Sequence, residues 1–182
     1  AFKRYQLLTD STLDTKEEFH LLDTIFEGVS LLGDYSKKIK DKVLSQGELL
    51  SARLVTHLLK EKGVNAHFTD SRSLIITDDQ FGNAQPLDVL SKENVLQHFK
   101  KYNGTTVHIV TGFIASNIHQ ETTTLGRNGS NYTASLLANF LDAEELENFT
   151  HVDGIYTVNP DLVPDAKKIK KQKPLLRLML NN

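Results

Sequence analysis

The residues best suited to chemistry lie in a glycine-containing turn at residues 126–130, which reads Gly-Arg-Asn-Gly-Ser. A helical pattern follows this turn, and the N-terminus of a helix presents unpaired N–H groups and a partial positive charge. Glycines let an anion approach the backbone, Arg127 adds a planar fork suited to a carboxylate or phosphate, and Ser130 adds a hydroxyl at the helix start. The turn is therefore typical of an anion-binding site.

A purely structural role for the same turn is equally open on these residues alone. In that case Ser130 only caps the helix, Gly129 only supplies a turn residue, and Arg127 is a solvated charge. The pattern does not match a P-loop, because no lysine follows the second glycine, and it does not match the Rossmann fingerprint. Neither of those nucleotide-binding folds is predicted.

Glu48 is a second candidate, because it follows Gly47 inside a helical segment, and a carboxylate beside a backbone break can accept a substrate ammonium group. The alternative is a glutamate that is simply exposed. The 7 histidines show no close metal-ligand spacing, so we expect ordinary surface or core histidines and no metal site. A Ser-His-Asp triad is defined by geometry and is not recognisable here.

Composition narrows the class of protein. The chain has 182 residues, a formal net charge of -2 and no cysteine. This length fits one globular domain, the weak charge does not favour a nucleic-acid partner, and disulfides, thiolate nucleophiles and Cys-ligated zinc are excluded. No apolar run approaches the roughly 20 residues needed to span a bilayer, and the amino end lacks a signal-peptide pattern. We expect a soluble, cytoplasmic protein with small-molecule ligands.

Two helices are predicted in the first third of the chain. The first begins with a capping-box pattern at residues 15–18 and ends at Gly33. Its apolar face is formed by Leu22, Ile25, Phe26 and Val29. The second runs from about Ser36 to Gly63, and we expect Gly47 to break or kink it. Its apolar face includes Leu50, Leu54 and Leu58.

Short β-type runs follow, and we predict strands at residues 64–69, 74–77, 105–111, 121–125, 148–152 and 175–180. The run at 105–111 barely alternates, as expected for a strand covered on both faces. The loop at 78–86 has a composition typical of solvated loops. The helix after the anion-binding turn is expected to bury Ala134, Leu137, Ala138 and Leu141. This mixture favours a layered α/β domain with helices on both faces of the sheet.

Three ordered stretches resemble the aspartokinase branch of the amino-acid kinase family. They read GVSLLGDYSKKIKDKVLSQGELLSARL at 28–54, TTTLGRNGSNYTASLLA at 122–138 and FTHVDGIYTVNPDLVPDAKKI at 149–169. The GVSLLG and VPDA elements are closer to the form fused to homoserine dehydrogenase. The resemblance implies a three-layer α/β/α sandwich with a mainly parallel central sheet. It also implies phosphoryl transfer from ATP, with Mg²⁺, to the side-chain carboxylate of L-aspartate.

The resemblance also assigns residues, position by position. Those that match the family's aspartate pocket are Glu48, Phe113, Arg127, Ser130 and Asn131. Arg127 is expected to clamp the α-carboxylate, and Arg127 with Ser130 are the catalytic candidates. Those at the family's ATP-contacting segment are Thr150, His151, Asp153, Gly154 and Tyr156. We expect the full-length protein to form a homo-oligomer.

Departures from the family pattern bear on activity. The opening Lys-Phe-Gly-Gly-Thr-Ser motif is absent, and the pattern is interrupted near Lys170, so we expect residues 1–182 to form one incomplete amino-acid kinase domain. Asn131 and His151 each replace an aspartate, and Asp161 replaces an arginine, which predicts weak ATP binding. The alternatives are a catalytically incompetent ligand-binding fragment or regulatory module of the same fold, and another amino-acid kinase.

Overall fold

The computed structural model describes residues 13–102, 104–149, 157–158, 162–163 and 165–167. The helices in this part of the chain are α1 (Lys16–Leu32), α2 (Lys37–Glu61), α3 (Asp88–Phe99) and α4 (Gly129–Phe140). The strands are β1 (Ala66–Thr69), β2 (Ile76–Thr77), β3 (Val107–Val110), β4 (Ile114–Asn117) and β5 (Thr122–Thr124). A short 3-10 helix, Ser71–Ser73, lies between β1 and β2.

The first two helices begin and end where the sequence indicates. Thr15 is the N-cap of α1, but its side chain makes no capping hydrogen bond, so the predicted capping box is not formed. Glu18 forms an ion pair with Arg53 of α2 instead. Gly33 ends α1 in the left-handed conformation, with φ 63°, and the Ser36 side chain caps α2.

Helix α2 differs from the prediction at Gly47. It continues without interruption from Lys37 to Glu61, so the expected break is wrong. Gly47 is exposed, and no atom lies within 4 Å of the point where its Cβ would be. One glycine costs a helix only about 1 kcal/mol relative to alanine, which the turns on either side tolerate. Glu48 therefore projects from a regular helix.

The strands form two small sheets. In one, β1 pairs in parallel with β3, in a register that places His67 opposite His108. In the other, β4 lies between β2 and β5, parallel to β2 and antiparallel to β5. Helix α2 packs against β1, β3, β4 and β5. Because α2 contacts both sheets, it fixes their relative position.

Two elements, α3 and β4, are not predicted from the sequence. α3 buries Ser91 and Val95. Its exposed apolar residues are Val89, Leu90 and Leu96, so its apolar pattern does not indicate its buried side. The expectation that the strand at 105–111 is covered on both faces is wrong for the described residues, since Val107 is exposed and the rest of β3 is half-buried.

The core lies between the β2–β4–β5 sheet and helices α3 and α4. It is formed by Leu74, Ile75, Val95, Ala115, Leu125, Leu136 and Phe140. Helix α4 buries Thr133, Leu136 and Phe140. Of the predicted face, Leu137 packs against the core, Ala134 and Ala138 are half-buried and Leu141 is exposed, so the helix is rotated from the prediction. The tight contact of Gly129 with Phe113 at the start of α4 sets this rotation, and the apolar pattern of the helix does not reveal it.

Five of the nine residues in the loop at 78–86 are exposed, as predicted for a solvated loop, but the loop is also anchored to its neighbours. Ala84 is buried, and its N–H donates to the carbonyl of Thr124 at 2.9 Å. The N–H of Gly82 donates to the carboxylate of Asp41 at 2.8 Å. The loop therefore joins α2 to β5.

Helix α1 lies at the periphery of the described structure. None of its residues is buried, and Phe26, predicted for its buried face, is exposed. Of the predicted strand at 148–152 only the first two residues are described, and they are not in a strand. The run at 175–180 lies outside the described residues. In the described part of the chain, no helix combines the length and apolar character needed to cross a membrane.

Candidate functional site

A pocket of about 440 Å³ lies where α2, the β3–β4 connection and the start of α4 meet. It is lined by Glu48, Phe113, Gly126, Asn128, Gly129, Ser130 and Asn131. Four of the five residues predicted for the aspartate pocket are therefore brought together. The fifth, Arg127, is exposed and is not among the lining residues, although both of its chain neighbours line the pocket.

The start of α4 forms one wall of the pocket. Asn128 is the N-cap, with φ 61° and ψ 19°, and its side chain makes no capping hydrogen bond. Ser130 lies inside the first turn of the helix, so the alternative that it is the N-cap is wrong. The N–H of Gly129 donates to the carbonyl of Gly126 at 3.1 Å, whereas first-turn N–H groups such as those of Ser130 and Asn131 have no partner within their own helix, and a bound anion can accept from them. This wall has the properties of an anion-binding surface.

Phe113 packs against this wall in an unusual backbone conformation. Its φ of 69° is in the left-handed region, which is rare for a bulky residue and marks stored strain. Its N–H donates to Oγ1 of Thr133 at 3.1 Å, and that hydroxyl donates to the carbonyl of Gly129 at 3.0 Å. Its carbonyl accepts from the N–H of Leu125 at 2.9 Å. These three bonds hold Phe113 against the start of α4.

A second close approach joins Gly112 to Ser130. A Cβ added at Gly112 would lie 2.9 Å from both Cα and Cβ of Ser130, closer than real side chains approach. The sequence indicates Gly112 only as the end of a strand, and its role in admitting Ser130 is missed. A glycine directly before a predicted pocket residue is the one signal that points to such a role.

Glu48 faces the pocket from α2. Its side chain is partly buried, and this burial raises the pKa of its carboxyl above the usual 4.5. A carboxylate that is half removed from water gains more from a cationic partner than an exposed one does. The lining of one pocket therefore includes both a carboxylate that can bind a cation and a helix start that can bind an anion.

A larger groove of about 710 Å³ shares no lining residue with this pocket. It includes Arg72, but that guanidinium is already bound to Asp70 through contacts of 2.6 to 3.1 Å and donates to Thr122 at 3.2 Å. With its charge balanced and its donors engaged, Arg72 is a weak anchor for a ligand. The smaller pocket is the better candidate, because it contains four of the five residues predicted for the aspartate pocket.

Three histidines that look scattered in the sequence lie together beside the β1–β3 pair. The rings of His67, His98 and His108 have centroids 5.4 to 6.4 Å apart. Burial, followed by the charges of neighbouring basic groups, lowers the pKa of both His98 and His108. Within the described residues no group of three or more His, Cys, Asp or Glu is arranged to hold a metal ion. The cluster is therefore a packed group of rings in which burial disfavours a positive charge on His98 and His108.

The predicted nucleotide residues lie outside the described part of the chain. They are Thr150, His151, Asp153, Gly154 and Tyr156. Their assignment to ATP therefore stays a prediction.

The chain belongs to the amino acid kinase family, whose sequence profile matches residues 4–174. Within that family it is similar to lysine-sensitive aspartokinase 3 of Escherichia coli (strain K12), with 38% identity over 154 residues, which cover 81% of this chain and 34% of the relative. The bifunctional aspartokinase/homoserine dehydrogenase of Buchnera aphidicola subsp. Acyrthosiphon pisum (strain APS) is 33% identical over 156 residues, or 85% of this chain and 19% of the relative.

Among solved structures, the chain is similar to E. coli aspartokinase III in complex with aspartate and ADP. The TM-score is 0.68 at 37% identity, and the match covers 82% of this chain and 35% of that chain. These findings confirm the resemblance to aspartokinases and the predicted α/β fold class. The chain spans about a third or less of the length of these relatives.

Proposed function

We propose that this chain is part of the catalytic domain of an aspartate kinase, which transfers the γ-phosphoryl group of ATP to the side-chain carboxylate of L-aspartate. The product is 4-phospho-L-aspartate, the first intermediate of lysine, threonine and methionine biosynthesis. The observation that carries the proposal is the pocket that joins Glu48, Phe113, Ser130 and Asn131 at the start of α4. The similarity to an aspartokinase solved with aspartate and ADP supports it.

The pocket suits an amino acid because groups that attract opposite charges line it together. The N–H groups at the start of α4 and the guanidinium of Arg127 suit the α-carboxylate. The partly buried carboxylate of Glu48 suits the α-ammonium group. Asn131 adds an amide that can accept from the ammonium group without contributing charge. This arrangement leaves the side-chain carboxylate of the substrate free to react.

Phosphoryl transfer needs little covalent help from the protein. The substrate carboxylate oxygen forms the new bond to the γ-phosphorus, the bond to the β–γ bridging oxygen breaks, and ADP leaves. Catalysis then depends on alignment and on cations that balance the charge of the migrating group. Magnesium enters with ATP, as part of the substrate complex.

A direct test is a trapping assay on the full-length protein that contains this chain. Incubation with ATP, magnesium and aspartate in the presence of hydroxylamine converts an acyl phosphate to a hydroxamate, and ADP release is followed in parallel. We expect aspartate-dependent hydroxamate and ADP in equal amounts. Preference for glutamate would assign another amino-acid kinase. Aspartate binding by calorimetry without ADP release would assign a ligand-binding module.

The role of Arg127 is tested separately. Arg127→Ala removes the guanidinium proposed to clamp the α-carboxylate, and we expect the KM for aspartate to rise at least about tenfold while the KM for ATP stays unchanged. Arg53→Ala is the matched control, because Arg53 pairs with Glu18 of α1 and does not line the pocket. An unchanged KM for aspartate in Arg127→Ala removes Arg127 from the site.

A further inference from the structure

Asp41 is a buried carboxylate that does not line the pocket but links the elements that form it. It is 0% exposed and lies on α2, seven residues before Glu48. Seven residues correspond to about two helical turns, so the two side chains leave α2 on nearly the same face. Any displacement of Asp41 along or around the helix axis therefore also moves Glu48.

The carboxylate of Asp41 accepts hydrogen bonds from two other elements. One oxygen accepts from the N–H of Gly82 at 2.8 Å and from the N–H of Thr124 at 3.1 Å. The other accepts from the hydroxyl of Thr124 at 2.8 Å. Hydrogen bonds to a charged acceptor are stronger and more directional than neutral ones. Asp41 thus holds α2 against both the loop at 78–86 and strand β5.

Both of these partners lead directly to the anion-binding wall. Thr124 precedes Gly126 by two residues at the end of β5. Gly82 precedes Asn83, whose side chain packs on Gly126 so closely that a Cβ there would lie 2.3 Å from Oδ1 of Asn83. The first residue of the turn at 126–130 is therefore held by the two segments that Asp41 binds.

The burial of the Asp41 carboxylate indicates that its three hydrogen bonds have a structural role. Burying a carboxylate is costly unless its acceptor capacity is used, and here the donors are two backbone N–H groups and one hydroxyl. None of the salt bridges in the described part of the chain includes Asp41. Its role is therefore to orient backbone and hydroxyl groups.

We propose that Asp41 is a positioning residue that sets the distance between Glu48 and the turn at 126–130, and with it the affinity for the amino-acid substrate. The predicted change in the KM for aspartate rests on the proposed function. The structural role of Asp41 is independent of that function. The two are tested by different measurements.

The kinetic test compares Asp41→Ala with Asp41→Asn in the full-length protein. Alanine removes all three acceptor contacts. Asparagine keeps them in altered form, because its carbonyl oxygen can accept from the two N–H groups while its amide donates to the hydroxyl oxygen of Thr124. We expect the KM for aspartate to rise about tenfold or more in Asp41→Ala and to stay within about threefold of wild type in Asp41→Asn. We expect the KM for ATP to stay unchanged in both variants.

Thr56→Val is the matched control for a general weakening of α2. Thr56 is buried on the same helix, but its hydroxyl donates only to the carbonyl of Ala52, at 2.7 Å. We expect its KM for aspartate to equal that of wild type. If Asp41→Ala does not fold, Thr124→Val removes one of the three contacts and is expected to raise the same KM about threefold. Wild-type KM in a folded Asp41→Ala or Thr124→Val variant, or an equal rise in Thr56→Val, overturns the proposal.

Hydrogen exchange decides the structural part without any substrate. We expect amides in residues 80–86 and 122–131 to exchange at least about tenfold faster in Asp41→Ala, or in Thr124→Val, than in wild type, and to be unchanged in Thr56→Val. Unchanged exchange in these segments overturns the positioning role, whatever the activity of the enzyme. Absence of aspartate turnover in wild type with faster exchange in the variant refutes the proposed function and leaves the positioning role supported.

Discussion

The ring of Phe113 covers Gly129 so closely that a Cβ on Gly129 would lie 2.7 Å from Cδ2 and 3.1 Å from Cα of Phe113. Phe113 itself is held at φ 69°, a conformation that costs about 1–3 kcal/mol for a residue other than glycine. The strained backbone of Phe113 and the lack of a side chain at Gly129 are therefore both features of the same close contact. That contact sets where α4 begins.

Gly129→Ala tests this contact. The backbone of Phe113 cannot move away without losing its bonds to Thr133 and Leu125, so we expect a loss of about 1–3 kcal/mol in the free energy of unfolding. Gly47→Ala is the control, because it adds the same methyl group to an exposed helical site with open space, and we expect it to gain about 0.5–1 kcal/mol. Urea unfolding measures both, and a loss of the same size in both variants contradicts the prediction.

Gly112→Ala is predicted to affect the pocket more than the fold. Its Cβ would lie 2.9 Å from Cα of Ser130, so the first turn of α4 must shift away from the β3–β4 connection. A shift of about 1 Å at a binding group can cost up to about a hundredfold in rate. We expect kcat/KM for aspartate to fall at least about tenfold, measured by ADP release, with the KM for ATP as the internal control. A variant with normal kinetics would show that Ser130 does not touch the substrate.

Glu48 predicts a pH dependence of substrate binding. Burial raises the pKa of its carboxyl, so the charge that attracts an ammonium group is lost at a higher pH than for an exposed glutamate. We expect the KM for aspartate to rise as the pH falls toward this raised pKa, and Glu48→Gln to show a high KM with little pH dependence. Steady-state kinetics across the acid range checks both.

The raised pKa of Glu48 also predicts that its carboxylate, which favours substrate binding, destabilises the folded state. Because the folded state binds the Glu48 proton more tightly than the unfolded state, the carboxylate destabilises the fold at any pH above its folded-state pKa. Glu48→Gln should therefore raise the melting temperature slightly at neutral pH while it weakens binding. A lower melting temperature in this variant would contradict the assignment of Glu48 to an open pocket.

The histidine cluster predicts a loss of stability in acid. The pKa values of His98 and His108 are lowered in the folded state, so the unfolded state takes up protons first as the pH falls below about 6.5. The contribution of His98 and His108 to the free energy of unfolding is fully present above that pH. It is lost as the pH falls from there through their folded-state pKa values. Nε2 of His108 is buried without a hydrogen-bond partner among the described residues, which leaves a second proton there unpaired.

His108→Gln tests this dependence. Glutamine does not titrate, and its amide can still bond to the hydroxyl of Thr69, which lies 3.1 Å from Nδ1 of His108. We expect the loss of unfolding free energy between about pH 7.5 and about pH 5.5 to be smaller in this variant than in wild type. His20→Gln, at an exposed site on α1, should leave the loss unchanged. Equal losses in all three proteins would refute a role for the cluster.

The sequence predicts the ends of α1 and α2, because Gly33, Ser36 and Gly63 act locally. It also predicts the turn at 126–130 before α4, since glycines before a helical pattern have a direct backbone meaning. The rotation of α4 and the packing of the loop at 78–86 are not predicted. Both depend on contacts with residues far along the chain, such as Phe113 for α4 and Asp41 for the loop.

The candidate site also contains some residues that the sequence indicates and others that it does not. Charge and turn chemistry indicate Arg127 and Ser130, and the family resemblance adds Phe113. Neither source indicates Asp41, because its significance lies in three hydrogen bonds to segments that are distant in the sequence. Gly112 is similar, since a close approach of two backbones leaves no pattern within a single segment.

The bonds between Asp41 and Thr124 join residues that are 83 positions apart in the chain. During translation at about 5–20 residues per second, roughly 4–17 s separate the synthesis of the two partners. Throughout that interval β1, β3 and β4 become available to α2, but the Asp41 carboxylate lacks two of its three native hydrogen bonds. The pocket is therefore a late product of folding, completed only once the ribosome has released the β5–α4 segment.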